Sequence, residues 1–132
     1  MNKIKIGIVE VLGLIGILLW SGTVIIRGFH LSNNELYLLI LGSLPNLAAA
    51  WAVTLFAKWY VLFVLKKDIT IKSYAIICFG IVLIALTSEV IHAAFFDSPF
   101  DINDMVVTII AQVVLFLIPL ITKDKYFSNY IN

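Results

Sequence analysis

Four long apolar runs, separated by short polar segments, set the pattern of this chain. The runs cover Ile6–Ile26, Leu44–Leu65, Ser73–Ala94 and Met105–Ile121. A helix needs about 20 mostly apolar residues to cross a hydrocarbon core about 30 Å thick, and each run comes close to that length. The pattern therefore predicts an all-α membrane protein, a four-transmembrane-helix bundle that forms a single domain over residues 1–132.

The composition supports a membrane domain. Hydrophobic residues make up 62% of the chain and charged residues only 13%, whereas soluble domains keep about a quarter of their residues charged. The basic residues form no stripe of the kind that binds nucleic acid. We therefore expect the lipid bilayer, and no nucleic acid, as a partner.

The lysines lie between alternate runs. Seven of them precede the first run, separate the second from the third, or follow the fourth: Lys3, Lys5, Lys66, Lys67, Lys72, Lys123 and Lys125. The other two gaps hold Arg27 and most of the acidic residues outside the runs. Because cytoplasmic loops are enriched in Lys and Arg, this asymmetry predicts that both termini are cytoplasmic and that the acidic gaps face outward.

The segment before the second run is also apolar. A helix over all of Leu36–Leu65 would be about 45 Å long, which exceeds the hydrocarbon thickness. Pro45 disfavours helical geometry at Leu44. We therefore predict that Asn34–Leu41 forms a short outer interfacial or re-entrant segment and that the second span begins near Pro45. The alternative is one tilted helix that is kinked at the proline.

Two ionisable residues lie inside the cytoplasmic halves of the first two spans. Glu10 and Lys58 each lie several residues beyond the flanking lysines, which places them at a similar depth. Charges at membrane depth are costly unless they are paired. We predict a structural ion pair between them, with a snorkelling lysine or a proton relay as alternatives.

A polar stripe runs down the fourth span from its outer end. Asp101, Asp104, Thr108 and Gln112 follow helical spacings of three, four and four, so they share one face. Asp101 and Asp104 also suit the start of a helix, where carboxylates cap backbone N–H groups, although Ser98 can serve as the cap instead. Thr108 and Gln112 lie too deep to cap, and they can form hydrogen bonds across helices.

Glu89 and His92 lie on one face of the third span, near its outer end. Glu-x-x-His is a ligand spacing of metal sites in helical bundles, but such sites need a second copy and further glutamates. We therefore predict no metal and no cofactor. With the stripe on the fourth span, the pair can line a small outward-facing polar pocket, and Arg27, His30 and Asn46 can form its rim. No catalytic motif is present, so the sequence leaves open whether the protein is an enzyme.

Several of these residues occur in segments that resemble the signature of VanZ-like bacterial membrane proteins. The segments are Glu89-Val-Ile-His92, Phe100-Asp-Ile-Asn-Asp104, Val107-Thr-Ile-Ile-Ala111 and Leu41-Gly-Ser-Leu-Pro-Asn-Leu47. His92 stands where that family usually has glutamine, and Ala111 where it has glycine. The resemblance implies a bacterial cytoplasmic (inner) membrane, a role in the cell envelope and a context of glycopeptide resistance.

Three functional hypotheses follow. In the first, the outward pocket binds an envelope lipid or a peptidoglycan-related headgroup through a set of polar side chains: Glu89, His92, Asp101, Asp104, Thr108, Gln112 and Asn46. In the second, the chain is a small accessory or immunity subunit that contacts a membrane protein partner through its helices. In the third, it is a membrane enzyme that uses the acidic cluster.

Overall fold

The computed structural model describes residues 7–29, 34–96 and 98–122, and it forms a bundle of four long helices. They are α1 (Ile8–Gly28), α2 (Glu35–Trp59), α3 (Ile71–Phe95) and α4 (Ile102–Ile121), and a π-helical segment (Tyr60–Val64) continues α2. The described residues contain no β-strand. By length and composition each of the four helices is able to span a membrane. The predicted all-α four-helix bundle is therefore confirmed.

Side chains cap the starts of the last three helices. Asn34 accepts a hydrogen bond from the backbone N–H of Leu36 at 2.9 Å, and Asp101 caps α4 in the same way. Thr70 and Ser73 each accept a hydrogen bond from the backbone N–H of the other, which is a capping box. α4 thus begins at Ile102 behind Asp101, and the alternative start at Ser98 is wrong.

The second helix differs from the prediction. α2 runs without a break from Glu35 through Pro45, and with the π-helical segment it reaches 30 residues. The predicted break before Pro45, with a separate segment at Asn34–Leu41, is therefore wrong, and the structure has the single helix of the alternative. A helix about 45 Å long must tilt, or extend into the headgroup region, to fit a hydrocarbon core of about 30 Å.

Arg27 explains why Pro45 does not break α2. Proline has no N–H, so the Leu41 carbonyl loses the donor that helix geometry would supply four residues later. The Arg27 guanidinium donates to this carbonyl instead, from Nε at 3.0 Å and from Nη2 at 2.7 Å. Nη2 also donates to the Gly42 carbonyl at 3.1 Å. A side chain of α1 therefore replaces the hydrogen bond that the proline removes from α2.

The replacement of the missing backbone donor by the Arg27 side chain can be tested directly. Arg27→Ala should lower the free energy of unfolding by about 1–2 kcal/mol, because the Leu41 carbonyl loses its donor. In a Pro45→Ala background the same change should cost clearly less, because residue 45 then supplies an N–H. Circular dichroism during titration of detergent-solubilised protein with dodecyl sulfate measures both values. Equal losses in the two backgrounds would contradict the assignment.

Glycines bring α1 and α2 into close contact. A Cβ atom added to Gly16 would lie 2.6 Å from the carbonyl oxygen of Ala48 and 2.9 Å from the Cβ of Trp51. A Cβ added to Gly13 would overlap the side chain of Leu55. Small residues allow such approaches between helices in lipid, where packing rather than water exclusion drives association.

Tyr74 anchors the third helix to the fourth. Its side chain is buried, its ring stacks on Phe116 with 6.4 Å between centroids, and its hydroxyl donates to the Leu115 carbonyl at 3.2 Å. Cys78 lies one turn further along α3 as a buried free thiol in the same apolar cluster. α3 is thereby held against α4 on one side, while most of its remaining surface is exposed.

Candidate functional site

Polar side chains form regular contacts between α2 and α4. The Asn46 side chain lies beside the Asp104 carboxyl group, and two turns further along both helices Thr54 hydrogen-bonds to Gln112. Both pairs are 58 positions apart in the sequence, so the two helices run parallel and in register. We call these two pairs the polar ladder.

The deeper pair of the polar ladder is closely bonded. Gln112 Nε2 donates to the Ala50 carbonyl at 3.1 Å and to Thr54 Oγ1 at 3.0 Å, which uses both of its hydrogens. Thr54 Oγ1 lies 2.8 Å from the Ala50 carbonyl and 3.2 Å from Gln112 Oε1, either of which can accept its single hydrogen. Both side chains are buried. The Gln112 amide therefore links α4 to α2 and presents no polar atom to a pocket.

The structure brings Glu10 and Lys58 together one turn below this link. Lys58 Nζ lies 2.6 Å from Glu10 Oε1, with the side chains only 1% and 4% exposed. The second carboxylate oxygen of Glu10 accepts a hydrogen bond from the backbone N–H of Gly7 at 2.9 Å. This charge-assisted pair joins α1 to α2 near the lysine-rich end of the bundle.

Three carboxylates gather at the opposite end, where α3 ends and α4 begins. We call this group, made of Glu89, Asp101 and Asp104, the acidic seam. Asp101 Oδ1 accepts from the backbone N–H groups of Asn103 at 2.8 Å and of Asp104 at 3.3 Å. The backbone N–H of Asp101 donates to Glu89 Oε2 at 3.4 Å. Glu89 therefore ties the end of α3 to the first turn of α4.

Negative charge is in excess at the acidic seam. Asp101 and Glu89 both act on Asp104 as like charges, and Arg27 acts on it as the opposite charge. The Arg27 guanidinium, however, is already hydrogen-bonded to the Leu41 and Gly42 carbonyls of α2. Three carboxylates thus lie near one guanidinium, whose Nε and Nη2 donate to α2, so the seam favours a ligand that brings donors or positive charge.

The other predicted site residues have separate positions. Thr108 is buried on α4 between Asp104 and Gln112. His92 is exposed, and its ring packs edge-on against Phe96 with 5.5 Å between centroids. No hydrogen bond or ion pair within the described part of the chain joins His92 to the acidic seam. His30, predicted at the rim, lies outside the described residues.

The described residues do not form a metal centre. Within 7–29, 34–96 and 98–122, no three His, Cys, Asp or Glu side chains are arranged to hold an ion. The acidic seam consists of three carboxylates, but two of them serve as helix cap and interhelical acceptor. Its geometry favours hydrogen bonding over coordination of an ion.

The sequence predicts no site for Thr54, and it places Arg27 only at the rim of the predicted pocket. Thr54 is the partner of Gln112, and Arg27 donates to α2 as well as facing the seam. The helical spacing of Thr54 indicates its position, since Asn46, Thr54 and Lys58 recur at multiples of four residues and so share one face of α2. Arg27 carries no such signal, because its acceptors lie 14 and 15 residues away on another helix.

Asn46, Glu89, Asp101 and Asp104 therefore come together at one end of the bundle, on three helices, with Arg27 of α1 nearby. Comparison with protein-family models, with curated proteins and with solved structures finds no match to this chain.

Proposed function

We propose that this chain is a VanZ-like protein of the bacterial inner membrane and that its acidic end faces outward and binds an envelope component. The ligand is a lipid or peptidoglycan-related headgroup that carries hydrogen-bond donors. One observation carries the proposal: Glu89 of α3 accepts a hydrogen bond from the backbone N–H of Asp101 at the start of α4, and Asn46 of α2 lies beside Asp104, so three helices meet around the acidic seam.

The chemistry of the seam sets the kind of headgroup. Ionised carboxylates only accept hydrogen bonds, and the Asn46 amide offers both donors and an acceptor. Ammonium and hydroxyl groups satisfy such acceptors, whereas a bare phosphate would be repelled by the excess negative charge. Amino groups and sugar hydroxyls, which envelope precursors and lipids carry, are therefore suitable ligands.

The outward orientation depends on the lysines of the sequence. Lys66, Lys67 and Lys72 lie at the end of the bundle opposite the acidic seam. Retention of positive charge on the cytoplasmic side during insertion would then expose the seam to the exterior. An envelope ligand could reach the seam without crossing the membrane.

The proposal predicts which substitutions abolish function. In a bacterial host that expresses the chain, Asp104→Asn, Glu89→Gln and Asn46→Ala should each return glycopeptide susceptibility to the level of cells with an empty vector. Each change removes a charge or an amide at the seam while the rest of the bundle is retained. The minimum inhibitory concentration, at matched protein levels in the membrane, is the measurement.

Glu35→Gln provides the matched control. Glu35 is an exposed acid in the first turn of α2, at the same end of the bundle but outside the acidic seam. It should keep the susceptibility of the wild type. If Asp104→Asn, Glu89→Gln and Asn46→Ala all behaved like the wild type, the acidic seam and the adjacent Asn46 would have no part in function and the proposal would be wrong.

A second candidate function is supported by the position of α3. This helix buries the smallest share of its length among the four spans. Its exposed face carries the hydroxyls of Thr87 and Ser88 beside Leu83 and Ile91. A partner helix could pack there, as expected for an accessory subunit. Co-purification of a stoichiometric protein in mild detergent, lost in a Ser88→Trp variant, would favour this function over the first.

A further inference from the structure

An apolar groove opens between α3 and α4. It encloses about 450 Å³ and exposes no polar atoms. Cys78 and Val82 form one wall, and Ile109, Val113 and Phe116 form the other. In a spanning helix pair, the medium at such an opening is hydrocarbon, so an apolar chain is the occupant that matches the walls.

The groove and the acidic seam lie along the same contact between α3 and α4. Val82 is seven residues from Glu89 along α3, and Ile109 is five residues from Asp104 along α4, which correspond to about 10 Å and 8 Å. The groove then continues for about 10 Å, down to Phe116. One molecule with a polar head and a long apolar tail can therefore reach both features.

Charge complementarity selects the head of that molecule. The acidic seam holds three carboxylates against one nearby guanidinium, that of Arg27, whose Nε and Nη2 donate to the α2 carbonyls. We propose that the groove holds one hydrocarbon chain of a membrane lipid whose ammonium headgroup lies at the acidic seam. This inference rests on the proposed function and narrows its ligand to an amine-bearing amphiphile.

Photocrosslinking tests the proposal with the full chain in vesicles. Two probes carry the same acyl chain, with a diazirine near its methyl end, on phosphatidylethanolamine or on phosphatidylglycerol. We expect the ethanolamine lipid to label residues of the groove, mapped by mass spectrometry of peptides, about tenfold more than the glycerol lipid, the preference that one charge-assisted hydrogen bond supports.

Substitutions in the groove and at the acidic seam separate the binding of the hydrocarbon chain from the binding of the headgroup. Val113→Trp fills the groove and should abolish its labelling, whereas Ile110→Trp, on an exposed part of the same helix outside the groove, should leave it unchanged. Asp104→Asn with Glu89→Gln should reduce labelling by the ethanolamine lipid to the level of the glycerol lipid.

The outcomes distinguish the two proposals. Equal labelling by both lipids in the wild type would identify an ordinary boundary lipid and overturn the inference. Groove labelling that ignores the Asp104 and Glu89 changes would overturn it too. If the seam variants lose glycopeptide resistance while the groove is never labelled, the inference fails and the proposed function stands. If resistance and labelling are both insensitive to these changes, both fail.

Discussion

Lys58→Met is expected to lower the free energy of unfolding by about 3–5 kcal/mol, because it leaves the Glu10 carboxylate buried without its partner. The two groups are 2.6 Å apart and nearly inaccessible. An exposed pair would contribute at most about 1 kcal/mol and would weaken with salt. The unfolding of detergent-solubilised protein by dodecyl sulfate, at low and high ionic strength, measures the loss.

The double variant Glu10→Gln with Lys58→Met is the control. Glutamine keeps an acceptor for the backbone N–H of Gly7, and methionine fills the volume of the lysine stem. Removing both charges also removes their desolvation, so the double variant should recover most of the lost stability. A loss below about 1 kcal/mol for Lys58→Met, or a double variant as unstable as the single one, would show that the pair is solvated in the membrane.

The number, order and approximate bounds of the spans could be predicted because they depend only on local hydrophobicity. The run at Met105–Ile121 and helix α4 at Ile102–Ile121 differ only at the start, where Asp101 supplies the cap. The error at α2 has a different origin. Pro45 is a local signal for a break, and the compensating donor, Arg27, comes from another helix. A rule that considers only neighbouring residues could not include it.

The candidate site was predicted in part. The stripe on α4 was identified from its helical spacing, and Asn46, Glu89, Asp101 and Asp104 do come together. Spacing gives the face of a helix but not the helix that the face meets. The spacing on α4 predicts that the Gln112 amide faces a polar pocket with α3, whereas the amide bonds to Thr54 and Ala50 of α2. The partner depends on bundle packing, which the sequence pattern of one helix does not encode.

The contact between α1 and α2 should be the next most sensitive part of the bundle. Gly16→Ala is expected to lower the free energy of unfolding by about 1–3 kcal/mol, because the new methyl group would meet the backbone of α2. The obstructing atoms are the Ala48 carbonyl oxygen at 2.6 Å and the Ala52 nitrogen at 3.1 Å. Backbone atoms cannot rotate away, so the two helices must separate at this point.

Gly22→Ala isolates this effect from helix propensity. Gly22 lies on the same helix, and a Cβ there would meet nothing within 4 Å. Both substitutions gain the same intrinsic preference of alanine for a helix, up to about 1 kcal/mol, so the difference between them reports the contact with α2. Unfolding by dodecyl sulfate should rank Gly22→Ala at or above the wild type and Gly16→Ala below it. Equal stabilities would mean that α1 and α2 are further apart than the structure places them.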